Sequence, residues 1–241
     1  AVDMLPVTAD LSPYDLIIAP MLYMVSADCA ARIKQYVAEG GVFVTTCFSG
    51  LADEHDRVIL GGYPGAFRDL LGIWIEETDA LYPDVQNEMV FAEGDGGLNG
   101  RYACGLLCDV LHLEGAQVRA TFGQDYYAGS PSLTENSYGQ GKAIYIASQP
   151  EAALLRDLCA DLCRRLQIAP PFTAPAGVEV RQRQTPRHLP EQTYTFVLNH
   201  NSTPATLALD KVYWDLLAQR ELSGAVLVNG RDVLILQETH S

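Results

Sequence analysis

The chain has 241 residues, enough for one large domain or two smaller ones, and its 48% hydrophobic and 19% charged composition is that of a folding chain, which excludes disorder. With 30 acidic residues against 16 basic ones the formal charge is −14, which opposes phosphate backbones and anionic lipid and so argues against nucleic acid or membrane as partner. No run nears the roughly 18 apolar residues of a membrane helix, and the opening residues lack the basic-then-apolar pattern of an export signal.

Taken in chain order, Leu16 to Pro20 (LIIAP) reads as a short buried strand. A helix follows, with Ser26 as its N-cap, apolar residues at helical spacing, and a stop at Gly40 and Gly41. VFVTT (Val42 to Thr46) is the next strand, so the first elements spell strand, helix, strand with short connections, as in a parallel sheet covered by helices. Phe48 to Gly65, FSGLADEHDRVILGGYPG, is a long polar connection of the kind that usually carries a function. A helix at Ala66 to Leu71, strands around Ile73 to Glu77, Arg101 to Leu111, Gln117 to Phe122 and Lys142 to Ala147, and a helix from Glu151 to Leu166 complete the first domain.

Pro170, Pro171 and Pro175 then forbid a continuing helix and mark a boundary. Beyond it VEVRQRQ, TYTFVLNH, ATLAL, AVLV and DVLILQ alternate with turn-forming NHNSTP, SG and NG, the pattern of a small antiparallel β domain. The domains are expected at residues 1–170 and 176–241. The six cysteines are too sparse for a disulfide framework and are expected as free thiols in a reducing cytoplasm. Cys104 and Cys108 lie four apart in a strand, and Cys159 and Cys163 four apart in a helix; structural zinc favours tighter loops, so buried thiols are expected and no metal.

Cys47 ends a strand, where a nucleophile could be presented. A nucleophile elbow has glycines two positions before and after, whereas here Thr45 and Ser49 stand there. A thiol also needs a base. IYIASQPEAA (Ile144 to Ala153) resembles the strand end of class I glutamine amidotransferases, in which histidine, proline and glutamate run consecutively and complete a Cys, His, Glu triad. Pro150 and Glu151 match, but Gln149 replaces the histidine, and an amide accepts no thiol proton near neutral pH. Cys47, Gln149 and Glu151 are therefore read as a degenerate triad in a parallel-sheet, amidotransferase-like (flavodoxin-like) α/β layer without its chemistry.

Other candidates read as structural first. His55 in DEHD (Asp53 to Asp56) could be a metal ligand or a solvated turn; His112 a base or a packed strand residue; His200 a turn residue; Tyr126 and Tyr127 a stacking platform or a half-buried contact.

Three longer segments carry a resemblance: YDLIIAPMLYMVS, FSGLADEHDRVILGGYPGAFRDLLGIWIEE and CDVLHLEGAQVRATFGQDYYAGSPSLTENSYGQGKAIYIAS. They closely resemble the region that follows the catalytic barrel in glycoside hydrolase family 42 β-galactosidases, over nearly all of residues 11–168, and FVLNHNSTPATLAL resembles that family's small C-terminal β domain. The resemblance implies a trimerisation domain of amidotransferase-like fold, a homotrimer, no cofactor, and a parent that hydrolyses terminal non-reducing β-D-galactosides with retention. It implies that both catalytic glutamates, and any cysteine-bound zinc, belong to a TIM barrel that precedes this region. It implies too that the domain's first strand and helix are missing, leaving an open edge to be covered by association. The connection Phe48 to Gly65 would then face a neighbouring subunit or the barrel, with Tyr63, Phe67 and Arg68 as contacts, since aromatic residues and arginine tend to carry interface energy. Two alternatives stand beside this: an independent cysteine enzyme using Cys47, and a carbohydrate-binding module using Tyr194, Phe196, Tyr213 or Trp214.

Overall fold

The computed structural model describes residues 2–95, 97–170, 172–185 and 191–238; Pro171 of the expected boundary lies outside them. The chain divides into two compact units, one of residues 5–167 and one of residues 2–4 with the described residues from 168 onward.

In the first unit β1 (Leu16–Ala19), α1 (Ala27–Ala38) and β2 (Val42–Thr46) follow the expected order. Ser26 caps α1 by accepting from the Cys29 amide at 3.1 Å, and Cys29, Ala30, Ile33, Tyr36 and Val37 form its buried stripe. The helix stops at Gly40, with φ +117°, and Gly41, where a Cβ would lie 2.2 Å from the Tyr36 ring. A single 3-10 turn (Gly65–Phe67) leads into α2 (Arg68–Leu71), then β3 (Ile73–Ala80), β4 (Asn87–Asp95), β5 (Leu98–Leu113), β6 (Gln117–Phe122), β7 (Pro131–Tyr138), β8 (Gly141–Ile146), β9 (Ser148–Pro150) and α3 (Ala152–Arg165).

These strands form one sheet in the order β1-β2-β8-β7-β6-β4-β5-β3, with β9 paired to β5. This corrects the expected parallel sheet. Among the described ladders of this sheet only β1–β2 and β2–β8 are parallel; the others are antiparallel. Connection length explains the difference, because a parallel return needs a crossover of a dozen residues and a tight turn joins only antiparallel strands. α1 supplies such a crossover, whereas Tyr138 pairs with Gly141 across a two-residue turn, and β4 ends at Asp95 with β5 starting at Leu98. The β7–β8 turn packs so closely on the end of α1 that a Cβ at Gly141 would lie 2.2 Å from the Gly41 carbonyl and 2.3 Å from that of Val37.

Phe43, Phe67, Leu70, Leu71, Leu133, Ile144 and Tyr145 lie at the centre of the apolar core, each fully buried. A buried aromatic contributes roughly 3 kcal/mol or more to stability. α3 is fastened to the sheet by charge: Arg165 forks onto Glu135 of β7 at 2.8 and 2.9 Å, and Arg119 of β6 reaches the same carboxylate at 2.8 Å.

The second unit is a five-stranded antiparallel sheet of β10 (Val178–Gln184), β11 (Thr193–Asn199), β12 (Ala205–Asp215), β13 (Arg220–Val228) and β14 (Val233–Glu238), in the order β10-β11-β14-β12-β13. One face buries Val197, Leu207, Leu209, Tyr213, Val226, Val228, Leu234 and Leu236 with Phe172. Asn199 is its polar hub: from a buried position its amide donates to the carbonyls of Thr203, Val228 and Asn229 at 2.9 to 3.1 Å, fixing the turn after β11.

Candidate functional site

The carboxyl ends of β1 and β2 are stitched together by hydroxyls. Thr45 donates to the Ala19 carbonyl at 2.7 Å and lies 2.7 Å from Ser49 Oγ; Thr46 Oγ1 accepts from the Met21 amide at 2.9 Å, and Ser49 Oγ from that of Leu22 at 3.0 Å. Thr45 and Ser49, which occupy the places an elbow would give to glycine, are thus the fasteners of this strand end. The left-handed residue is Phe48, at φ 65°, one position after the cysteine. That backbone choice turns Cys47 inward and Phe48 outward.

Cys47 is buried, and burial, with the charges of Asp109 and Cys108, pushes its thiol up to about 12. A thiol so placed stays protonated at neutral pH and is a poor nucleophile. Asp109, itself buried, is held by hydroxyls, accepting from Thr78 at 2.6 Å and from Tyr145 at 2.5 Å; burial raises its carboxyl above the usual range. Gln149 is exposed on β9, and Glu151 turns its carboxylate to the Ala103 amide at 3.0 Å. Among the described residues no hydrogen bond joins Cys47 to either of them, so the three positions form no relay.

The expected interface residues divide. Phe67 is wholly buried against Phe43, ring centroids 5.6 Å apart, so its side chain offers no surface to another chain. Arg68 forks onto Glu114 at 2.7 and 2.5 Å, donates to the Gly61 carbonyl at 2.6 Å and lies 5.9 Å from the Trp74 ring centre, which commits its donors within the chain. Tyr63 is half-buried, its carbonyl accepting from Ile75 at 2.9 Å, so the long connection runs beside β3.

A surface that the sequence reading did not single out lies around the same strand ends. Phe48 stacks on Tyr23 at 5.8 Å, and Met21, Met24, Val58 and Leu60 are exposed with them, Leu60 by 90%. Main-chain pairing from Val25 to Ala52 and from Ile59 to Leu51 holds these segments side by side. The stretch MLYMV between β1 and α1 carried the signal: four large apolar residues in five, in a connection with no helical or strand period.

The remaining candidates take their structural readings. Asp53 closes a turn, accepting from the amides of His55 and Arg57 and from the Arg57 side chain, and these bonds, the Arg57 amide first, hold its carboxyl down at about 2. His112 stacks on Trp74 and bonds Glu76 at 2.7 Å; His200 bonds Glu179 at 2.9 Å. Tyr127 is buried edge-on to Phe122, while Tyr126 is exposed and bonds Glu77. In the small sheet Tyr213 is buried against Phe172, whereas Tyr194, Phe196 and Trp214 lie on the opposite face, each half-buried, so the four residues considered for sugar stacking do not form one platform. Among the described residues no three His, Cys, Asp or Glu side chains are grouped to hold a metal ion, and no helix is long and apolar enough to cross a membrane.

Comparison with known proteins accounts for the chain from end to end. Residues 1–169 match the family model described as the β-galactosidase trimerisation domain, and residues 177–238 that of the β-galactosidase C-terminal domain. A β-galactosidase of Planococcus sp. (strain L4) is 48% identical over 236 residues, 98% of this chain and 34% of that protein. Another, from Geobacillus sp. (strain Y412MC61), is 39% identical over 99% of this chain and 34% of its own length. The crystal structure of a β-galactosidase from Bacillus circulans sp. alkalophilus superposes with a TM-score of 0.93 at 46% identity, covering 98% of this chain and 35% of that one. The chain thus spans about a third of the length of these relatives.

Proposed function

The chain belongs to the glycoside hydrolase family 42 β-galactosidases, of which it carries the trimerisation and C-terminal regions, and from this we propose that it is the part that assembles the enzyme, not the part that cleaves sugar. Its parent hydrolyses terminal β-galactosides; this region joins three copies and seats the catalytic barrel, and galactoside meets it only through that barrel. The single observation that carries the reading is the pair of family matches, over residues 1–169 and 177–238. The depressed reactivity of Cys47, and the absence of any bond from it to Gln149 or Glu151 among the described residues, speak against a cysteine enzyme.

We take the functional domains as 1–170 and 176–241, in keeping with the two separate cores. The parallel trio β1, β2 and β8 with α1 is the amidotransferase-like part of the first, extended by antiparallel strands. The six thiols, all free, suit the cytoplasm. The association surface centres on the exposed Phe48, Tyr23 and Met24, flanked by Tyr63 and Arg68, with Phe67 as the buried support beneath that loop.

Light scattering of the purified chain is the test. The expected result is a species of three times 26.3 kDa, whose dissociation constant weakens by about tenfold or more when Phe48 and Met24 are replaced by serine. A 26.3 kDa monomer at every concentration would remove the reading.

A further inference from the structure

Two thiols outside that surface are arranged for chemistry of their own. Cys104 and Cys108 are four apart in sequence, yet their partners on β9 are Pro150 and Ser148, two apart. The chain between them bulges: the register breaks after Gly105, Leu106 takes a left-handed φ of 65° and projects outward, and Leu107 rejoins the ladder to β3 opposite Ala80. With two residues looped out, the cysteines behave as next-but-one neighbours on one face of a strand. Such neighbours have Cα atoms about 6.7 Å apart, at the far end of the range a disulfide spans, so the strand must draw in at the bulge to close one and the bond is strained and readily reduced.

The side chains complete the arrangement. The register sets the two side chains on one face of β5, and both are buried. Cys108 Sγ lies 3.5 Å from Ser148 Oγ, which also lies 3.2 Å from the Gly105 carbonyl. Both cysteines are buried, and β9, the three-residue strand paired to β5 beside them, is the element whose local opening would admit a small reagent. The interaction between the two thiols lowers that of Cys108 and raises that of Cys104, and Cys108 is therefore taken as the attacking sulfur.

We propose that Cys104 and Cys108 are a redox couple that closes to an intrachain disulfide on reaction with a hydroperoxide. The Cys108 thiolate attacks the peroxide oxygen and breaks the O–O bond, giving a sulfenic acid and releasing water once the leaving oxygen is protonated. Cys104 sulfur then attacks the sulfenic sulfur, the S–O bond breaks and a second water leaves. Two thiols are oxidised by two electrons and one hydrogen peroxide becomes two waters. The ring closed is short, so chain entropy favours it little and excess thiol reopens it.

Peptide mapping tests this. The native protein is treated with hydrogen peroxide, alkylated under denaturing conditions and digested with trypsin without reduction; both cysteines fall in the peptide 102–119. The expected product is that peptide unalkylated and about 2 Da below its dithiol mass, restored by a dithiol reductant, with Cys29 and Cys47 still alkylated. Full alkylation of Cys104 and Cys108 at a dose that oxidises the exposed Cys159, or their conversion to separate sulfinic acids, overturns the proposal. Cys104→Ser removes the resolving thiol and should raise trapping of Cys108 by a sulfenic-acid reagent about tenfold over the unaltered protein; if that variant does not fold, the mapping alone decides.

Discussion

The two sheets bury polar groups for the same purpose, to fix one arrangement of strands, but with different chemistry. The large sheet buries Glu135 among three cations: Arg165 and Arg119 bond it directly and Lys142 stands 3.5 Å away. The small sheet's hub is Asn199, an amide whose donors meet only carbonyls. An ionic hub answers to pH and to the loss of one partner, because the remaining charges lie part-buried without compensation; an amide hub answers only to loss of its hydrogen bonds. One chain therefore carries two units expected to fail under different conditions.

The largest effect expected breaks that comparison at its simplest point. Gly141→Ala drives a methyl into two carbonyls of the α1 terminus and should cost the large unit about 3 kcal/mol or more, seen by hydrogen exchange as lost protection in β1, β2 and β8. Equal loss across β10 to β14 would show that the units melt as one. Next is acid. Burial alone would raise the Glu135 carboxyl, but Arg165 first, then Arg119 and Lys142, hold it below its ordinary 4.5. Its contribution is thus complete above that value and disappears as pH falls through the lower folded value. Denaturant titrations below pH 4.5 should show the large unit weakening, and Glu135→Gln should flatten that limb while costing about 2 kcal/mol at neutral pH. The smallest effect belongs to the amide: Asn199→Ala should lower the small sheet's stability by about 1–2 kcal/mol, independent of pH, with α3 and β7 untouched. An acid-sensitive loss there would erase the distinction between the two hubs.

What could be read from the sequence follows the same division. β1, α1 and β2 were legible because their signals are local: Ser26 caps, Gly40 and Gly41 stop, and VFVTT is uniformly apolar or β-branched. β7 was not, because its buried residues include the polar Ser132, Thr134, Glu135 and Asn136, and the partners of the last two, Arg165 and Arg119 for Glu135 and the Leu70 carbonyl for Asn136, lie elsewhere in the sequence. The sheet's antiparallel half escaped because the sequence reading places no strand at β4 or β7, and without them the pairings β4–β6, β6–β7 and β7–β8 have no partner there. Phe67, expected as an interface contact, is a core residue, a placement hidden from local reading because its partner Phe43 lies 24 residues away. The Cys104–Cys108 spacing was visible as four, while the bulge that makes it two was not.

Phe48 leaves a mark on what the chain can become. A left-handed backbone suits glycine and strains phenylalanine by about 1–2 kcal/mol, so the strand end would be more comfortable without its ring. Where that ring has no neighbour to meet, drift toward glycine is downhill; where it does, the aromatic is retained at the expense of the fold. On the association surface proposed above, the residue at position 48 in a descendant would record whether subunits still meet there.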